Sequence, residues 1–110
     1  MAAHATLKYA LTSDKKLLLV AKLVKGKNVE DALTDLEFTN KKAAGILAKV
    51  IKSAFANAKQ DNPALTPREA MLDQIYVSRG PKIKRARFVS RGRVHPYIKH
   101  RAFVKVVLNA

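Results

Sequence analysis

A chain of 110 residues with 48 % apolar side chains has room for one modest core, and its 22 Lys and Arg against 8 Asp and Glu leave a net charge of +14 at the surface. It has no cysteine, which excludes a disulfide framework and a thiolate zinc site. No apolar run approaches the roughly 20 residues that span a bilayer, and the N-terminus lacks the parts of a signal peptide, so the chain reads as one domain over 1–110 of a soluble intracellular protein, or of one processed before it reached this form.

The first element is expected to be a strand over Thr6–Thr12, with Leu7, Tyr9 and Leu11 on one face. Ser13 then offers an N-cap hydroxyl, and Asp14 suits a first helical turn. A helix over Lys15–Lys25 follows, ended by Gly26. Its apolar residues run around most of the circumference, which predicts a well-buried helix. Asn28 is a second N-cap. Val29, Ala32, Leu33 and Leu36 then recur at i, i+3, i+4 and i+7, a short amphipathic helix with Glu30 and Asp31 at its start. Asn40 is the expected cap of a longer third helix. Ala43, Ile46, Leu47, Val50, Ala54 and Ala58 line its core face, flanked by Ile51 and Phe55, and the run 60–63 ends it.

Residues 63–68 read as a loop with two prolines. A strand over Ala70–Val77 follows, with Met71, Ile75 and Val77, and Asp73 among them, on one face. A valine-rich strand covers Phe103–Leu108. Between these two lies a connection that opens with Gly80-Pro81 and contains Arg91-Gly92-Arg93, the pattern of an extended hairpin over about 80–97. Two arms of about 8 residues would each project roughly 25 Å. No apolar alternation that would bury one face of this hairpin is visible, so it has no core of its own.

Charge is divided unevenly along the chain. Residues 1–73 hold 12 basic and 8 acidic side chains, net +4, whereas the 37 residues after Asp73 hold ten basic and no acidic ones, net +10. Like charges repel and oppose compaction unless a polyanion neutralises them, so the second half reads as a nucleic-acid-binding segment attached to a more ordinary domain. Between Arg79 and Arg101 the arginines outnumber the lysines six to three. Arginine grips phosphate in bidentate fashion and stacks on bases, which suits folded RNA. Phe88, His95 and Tyr97 are interleaved and could stack on unpaired bases.

The candidate RNA-binding cations of this stretch are Arg79, Lys82, Lys84, Arg85, Arg87, Arg91, Arg93, Lys99 and Arg101. A second set comes from the first half: Lys8, Lys15, Lys16, Lys25, Lys27, Lys41 and Lys42. Lys41 and Lys42 stand at a helix N-terminus, against the favoured polarity for cations, unless helix end and lysines meet an anion together.

Catalysis has little support. The three histidines, His4, His95 and His100, form no cluster, and no carboxylate follows Asp73 to orient an imidazole or complete a metal site. Asp31 and Asp35 are an ordinary i, i+4 pair on a helix surface, and no glycine-rich phosphate loop is present. The expectation is a non-enzymatic protein with no cofactor, no metal and no membrane partner.

Several motifs together resemble the large-ribosomal-subunit proteins of the L-twenty-two family, over about Ala5–Leu108. They are Thr39-Asn40-Lys41-Lys42-Ala43-Ala44, Ser53-Ala54-Phe55-Ala56-Asn57-Ala58, Gly80-Pro81 followed by Lys84-Arg85, Arg91-Gly92-Arg93, the closing Val106-Val107-Leu108, and Lys25-Gly26-Lys27 at the end of the first helix. The resemblance implies an α/β (α+β) fold: three helices packed on a small three-stranded antiparallel sheet, with a long protruding basic β-hairpin. It implies a structural constituent of the large subunit, docked near the peptide exit, whose partners are large-subunit ribosomal RNA, neighbouring ribosomal proteins and, near the hairpin tip, the nascent peptide. Lys84, Arg85, Arg87, Arg91 and Arg93 would hold RNA phosphates. Arg87, Phe88, Val89, Ser90, Arg91 and Gly92 would lie at or near the tip, in the tunnel wall.

Three places depart from the bacterial pattern: Ser13-Asp14-Lys15-Lys16 where Ser-Pro-Arg-Lys is frequent, Phe88-Val89-Ser90 in place of Pro-Arg-Ala, and Arg101-Ala102-Phe103-Val104 in place of Thr-Ser-His-Ile. The implied location is the ribosome, in bacterial cytoplasm or an organelle matrix. The alternative reading from charge alone is a free-standing nucleic-acid-binding protein of nucleoid or RNA-chaperone type.

Overall fold

In the computed structural model, which describes residues 2–88 and 90–109, the chain runs β1 (Ala2–Ala10), α1 (Asp14–Val24), α2 (Val29–Phe38), α3 (Lys42–Asp61), β2 (Met71–Arg79), β3 (Ile83–Phe88), β4 (Val94–Lys99) and β5 (Ala102–Asn109). A short 3-10 turn, Ser90–Gly92, lies between β3 and β4. Two antiparallel sheets result. One has the order β1-β5-β2, and the other is the β3-β4 pair. This is the α/β (α+β) architecture expected, with α1 and α3 packed on the three-stranded sheet and α2 packed on those two helices.

β5 is the middle strand, and its alternation is strict: Ala102, Val104, Val106 and Leu108 are buried, while the residues between them are not. Successive side chains of a strand point to opposite faces, so these four face the helices. β1 contributes Ala3 and Ala5 beside them. Small side chains here let α3 lie close against the strand, and Asn57 of α3 donates a hydrogen bond to the His4 carbonyl at 2.9 Å.

The expected outer boundaries and faces shift in four places, each for a local reason. β1 begins at Ala2 and carries a bulge: Leu7 pairs with Val104, but Ala10, three residues on, pairs with Ala102, two residues back. The extra residue flips the pleat, so Ala10 is buried and Tyr9 turns outward, and Leu7, Tyr9 and Leu11 do not form one core face. A second bulge between Leu72 and Gln74 of β2 puts Leu72, opposite Leu108, in the core and leaves Met71 exposed. The N-cap of α3 is Lys41 rather than Asn40. Ser13 does cap α1 in position, with extended backbone, but its hydroxyl makes no capping bond. Asn28 behaves as read: its side chain accepts the Asp31 amide at 2.7 Å.

The largest difference is α1. Only Leu17, Val20, Ala21 and Val24 are buried, and Leu18, Leu19 and Leu23 stand exposed. The sheet and the other helices cover one side of α1, so a helix apolar all round keeps one apolar side out. α1 is joined to α2 by a turn that is itself held to the sheet. Gly26 takes φ +83, a conformation that favours glycine. The amide of Leu72 bonds to the Lys27 carbonyl, and the amide of Val29 to the Ala70 carbonyl, both at 2.9 Å. α1 and α2 are thereby fixed at the start of β2.

β2 and β5 continue directly into β3 and β4, so the two pairs form one long ribbon broken near residues 80–82 and 100–101. The far pair is 6 residues per strand, shorter than the arms of about 8 expected, and the return arm runs on to Lys99. Ile83–Lys99 and Lys84–Ile98 each pair a lysine with an isoleucine, Arg85–Tyr97 and Arg87–His95 each set an arginine opposite a ring, and Ala86–Pro96 and Phe88–Val94 are apolar, so charge falls on both sets of alternate rungs, as expected of a hairpin with no apolar face. The molecule measures 63 × 25 × 18 Å, and its radius of gyration is 16.8 Å. A compact chain of this length would have about 13 Å.

Three substitutions check this packing. Leu17→Ala, at a fully buried position, should cost about 2–5 kcal/mol in urea unfolding. Leu19→Ala, 56 % exposed on the same helix, should change stability by less than about 0.5 kcal/mol. Gly45→Ala, inside α3 with open space where the Cβ would stand, should gain about 0.5–1 kcal/mol.

Candidate nucleic-acid interface

The basic residues fall into three groups on the fold. The first is at the root of the hairpin. The N-terminal turn of α1 brings Ser13, Asp14, Lys15 and Lys16 against Arg79, Gly80 and Lys82 on the outgoing arm and His100 and Arg101 on the return arm, around a hollow of about 380 Å³. These residues are far apart in sequence, and their meeting unites the two basic sets. Asp14 is the one acid of the group. It accepts a hydrogen bond from Arg79 Nε at 3.4 Å and so restrains one of the cations.

Gly80 sets how close the two arms come. Its amide donates to the Arg101 carbonyl at 2.9 Å, and a Cβ built on it would stand 3.0 Å from the Arg101 carbonyl carbon and 3.1 Å from its oxygen. Only a residue without a side chain allows that approach with the backbone unmoved. The glycine of Gly80-Pro81 therefore has a steric role: it lets the ribbon cross from the sheet into the hairpin.

The second group follows the hairpin. Lys84, Arg85, Arg93 and Lys99 are exposed along it, and Arg91 is exposed at its turn. Arg91 has φ 64 and Gly92 φ 70, two consecutive left-handed residues that reverse the chain. A non-glycine residue in that region is strained by about 1 kcal/mol. Of the other tip residues, Val89 lies outside the described residues. The side chains of Arg87, Phe88 and Ser90, and those of His95 and Tyr97, lie outside the described side chains.

The third group is the N-terminal half of α3. Lys41 and Lys42 begin the helix, and Lys49 and Lys52 follow on its solvent side. Together they form one wall of a groove of about 950 Å³ whose other wall, on α2, carries Glu30 and Glu37. Lys42 and Lys49 also reach a second hollow of about 440 Å³ along β1, lined by Leu7, Tyr9 and Ile46. No first-turn acid offsets Lys42, so the helix dipole and the lysines all present positive potential here.

Half of the acids stand on α2, and two of them, Glu30 and Glu37, face the α3 lysines across the α2–α3 groove. Glu30 accepts from Arg68 Nε at 2.7 Å, which raises the pKa of the Arg68 guanidinium, and Asp35 pairs with Lys27. These pairs engage Lys27, Arg68 and Arg79. Among the described residues, no other cation lies in a salt bridge. Lys8 is exposed on β1, and Lys25 is exposed at the C-cap of α1. Also among the described residues, no three His, Asp or Glu lie close enough to hold a metal ion, and no helix is long and apolar enough to cross a membrane.

Gly80→Ala tests the root. It should lower stability by about 1–3 kcal/mol, because the Cβ must push the Arg101 backbone aside. A thermal melt within about 0.5 kcal/mol of the parent would mean that the two arms can part at no cost.

Comparison with known sequences agrees with this geometry. The sequence model described as ribosomal protein L22p/L17e matches residues 5–109. The large ribosomal subunit protein uL22 of Syntrophus aciditrophicus (strain SB) is 39 % identical over 109 residues, covering 99 % of this chain and 98 % of the relative. The large ribosomal subunit protein uL22 of Oleidesulfovibrio alaskensis (strain ATCC BAA-1058 / DSM 17464 / G20) is 41 % identical over 108 residues, covering 98 % of this chain and 97 % of the relative. A match that runs over nearly the whole chain takes in the helices, the sheet and the hairpin alike, and the chain belongs to the ribosomal protein L22p/L17e family.

Proposed function

We propose that this constituent of the large ribosomal subunit holds ribosomal RNA at the hairpin root and along the hairpin, and so ties together RNA segments that lie far apart. The chain is a structural protein of translation and not an enzyme. The observation that carries the reading is the meeting of Lys15, Lys16, Arg79, Lys82 and Arg101 at one root, continued outward by Lys84, Arg85, Arg91 and Arg93 with no acid beyond Asp73. A ribbon that leaves the sheet and carries this charge gains little from packing on its own domain. Its neutralisation and its support come from phosphates on both sides.

Arginine suits the hairpin, because a planar guanidinium bridges two phosphate oxygens or stacks on a base where RNA is folded tightly. The lysines of α3 and the exposed Lys8 and Lys25 suit the broader outer contact, where a point charge meets phosphate without fixed geometry. The tip (Arg87, Phe88, Val89, Ser90, Arg91 and Gly92) would then stand in the wall of the peptide exit tunnel, with the nascent peptide passing beside it. Neighbouring ribosomal proteins would pack on the remaining exposed surface. The relatives are bacterial, which favours the ribosome of a bacterial cytoplasm as the place of work.

The double substitution Arg91→Ala with Arg93→Ala tests the role of the hairpin. It should leave the melting transition of the free protein in place, since both side chains are exposed. It should also make the slope of log K against log salt shallower by about 1.4–1.8 for large-subunit RNA. Co-migration with the large subunit on a sucrose gradient in moderate salt should fall. A variant that melts early, or one that binds RNA with an unchanged slope, would remove these arginines from the contact.

A further inference from the structure

The three-stranded sheet has a second face, whose β1 edge at Tyr9 borders the hollow that Lys42 and Lys49 reach. The helices cover one face only. On the other, the rungs of the register bring Thr6, Lys105 and Tyr76 into one row across β1, β5 and β2. In the next row Phe103 stands beside Ser78. On its β1 side the bulge sets two residues, Lys8 and Tyr9, against Phe103 alone. The Tyr9 and Phe103 rings are in contact, with centroids 6.2 Å apart and planes tilted by 50°. Tyr9 is 59 % exposed and Tyr76 55 %. Lys8 and Lys105 are exposed beside them, and Asp73, at the β2 bulge, is the one acid in the three strands.

We propose that this open face is a base-stacking platform for unpaired nucleotides of RNA, a contact separate from the hairpin. Two features choose the occupant. The apolar groups in the two rows are rings, and a flat sheet presents rings to a planar base, as in sheet-based readers of single-stranded RNA. The charges beside the rings are cations, placed to meet the phosphates on either side of a stacked base. A protein partner docking through apolar contact would have no use for Lys105, which stands between Thr6 and Tyr76 in its row and two residues from Phe103 on its own strand. The β1 bulge is the device that makes the site: without the extra residue, Tyr9 would follow the pleat to the other face. The proposal rests on the reading of the chain as an RNA-binding protein and adds to it the kind of RNA, single-stranded, and the residues that meet the bases.

The test uses the full chain carrying Tyr97→Phe. That chain has no tryptophan and only Tyr9 and Tyr76 as tyrosines. It is titrated with an oligouridylate of about ten nucleotides and, separately, with an RNA duplex of equal charge. The single strand should quench tyrosine emission in a saturable way. Tyr9→Leu with Phe103→Leu should then weaken single-strand binding by about tenfold or more while duplex binding stays the same. In contrast, Arg91→Ala with Arg93→Ala should weaken both. Absence of quenching in the parent overturns the platform, and that result does not depend on whether the leucine variant folds. Equal single-strand affinity of a folded leucine variant and its parent also overturns it. If the arginine pair still lowers binding in either case, RNA binding through the hairpin stands and the platform alone falls. If binding to both RNAs is unmoved by every variant, both readings fall.

Discussion

The pairing of β5 with β2 is the interaction on which the rest depends. β5 is the central strand: it supplies four of the core side chains, and it alone joins β1 to the remainder of the sheet. Its partner β2 anchors the turn between α1 and α2 through the Lys27, Ala70 and Leu72 backbone groups. The same two strands, prolonged beyond Gly80 and Arg101, become the hairpin. Core, helix placement and projecting arm therefore share one ladder of hydrogen bonds. The direction of the hairpin is inherited from the β2–β5 pair, which gives a segment with no core of its own a base in the sheet.

Charge follows the same division of labour. Acids stand mainly on α2 and near its ends, where Glu30 and Asp35 engage Arg68 and Lys27. The root of the hairpin has Asp14 alone among Lys15, Lys16, Arg79, Lys82 and Arg101. Exposed ion pairs contribute little to stability, typically 0–1 kcal/mol each. Their arrangement says more about where a polyanion can approach than about what holds the fold. The α2 side is nearly balanced, and the root, the hairpin and the start of α3 are not. Lys16 at the root shares a hollow with Lys41 and Lys42, so cations follow one another from the start of α3 through the root to Arg91 at the turn.

Much of the fold was legible because period and punctuation agree with packing. The 3.6-residue recurrence of Ala43, Leu47, Val50, Ala54 and Ala58 names the buried side of α3, and the alternation in Ala102–Asn109 names that of β5. What failed in the reading failed at bulges. A single extra residue near Tyr9, and another between Leu72 and Gln74, reverse which side chains face the core, and nothing in the local composition marks them. The leucines of α1 misled for a different reason: apolar residues all round a helix say that burial would be favourable, not that a neighbour exists to provide it. Of the proposed contacts, the cations are visible in the sequence as a run, but the grouping of Tyr9, Tyr76, Phe103 and Lys105 is not. They come from three strands and meet only across the sheet.

The sequence by itself pointed to the class of partner, because an excess of 14 positive charges, 10 of it after Asp73, favours a polyanion whatever the fold. It also determined the helices, the central strand and the existence of a basic hairpin, since these rest on spacing within one segment. Only the tertiary structure decided which cations stand together. Lys15 and Lys16 meet Arg79, Lys82 and Arg101 because α1 packs on β2 and because Gly80 lets two strands approach within contact of each other's backbone. It alone decided which aromatic residues share a face, because that depends on the register of pairing between strands separated by some 90 residues of chain, and a register shift of one residue would have turned them to the core.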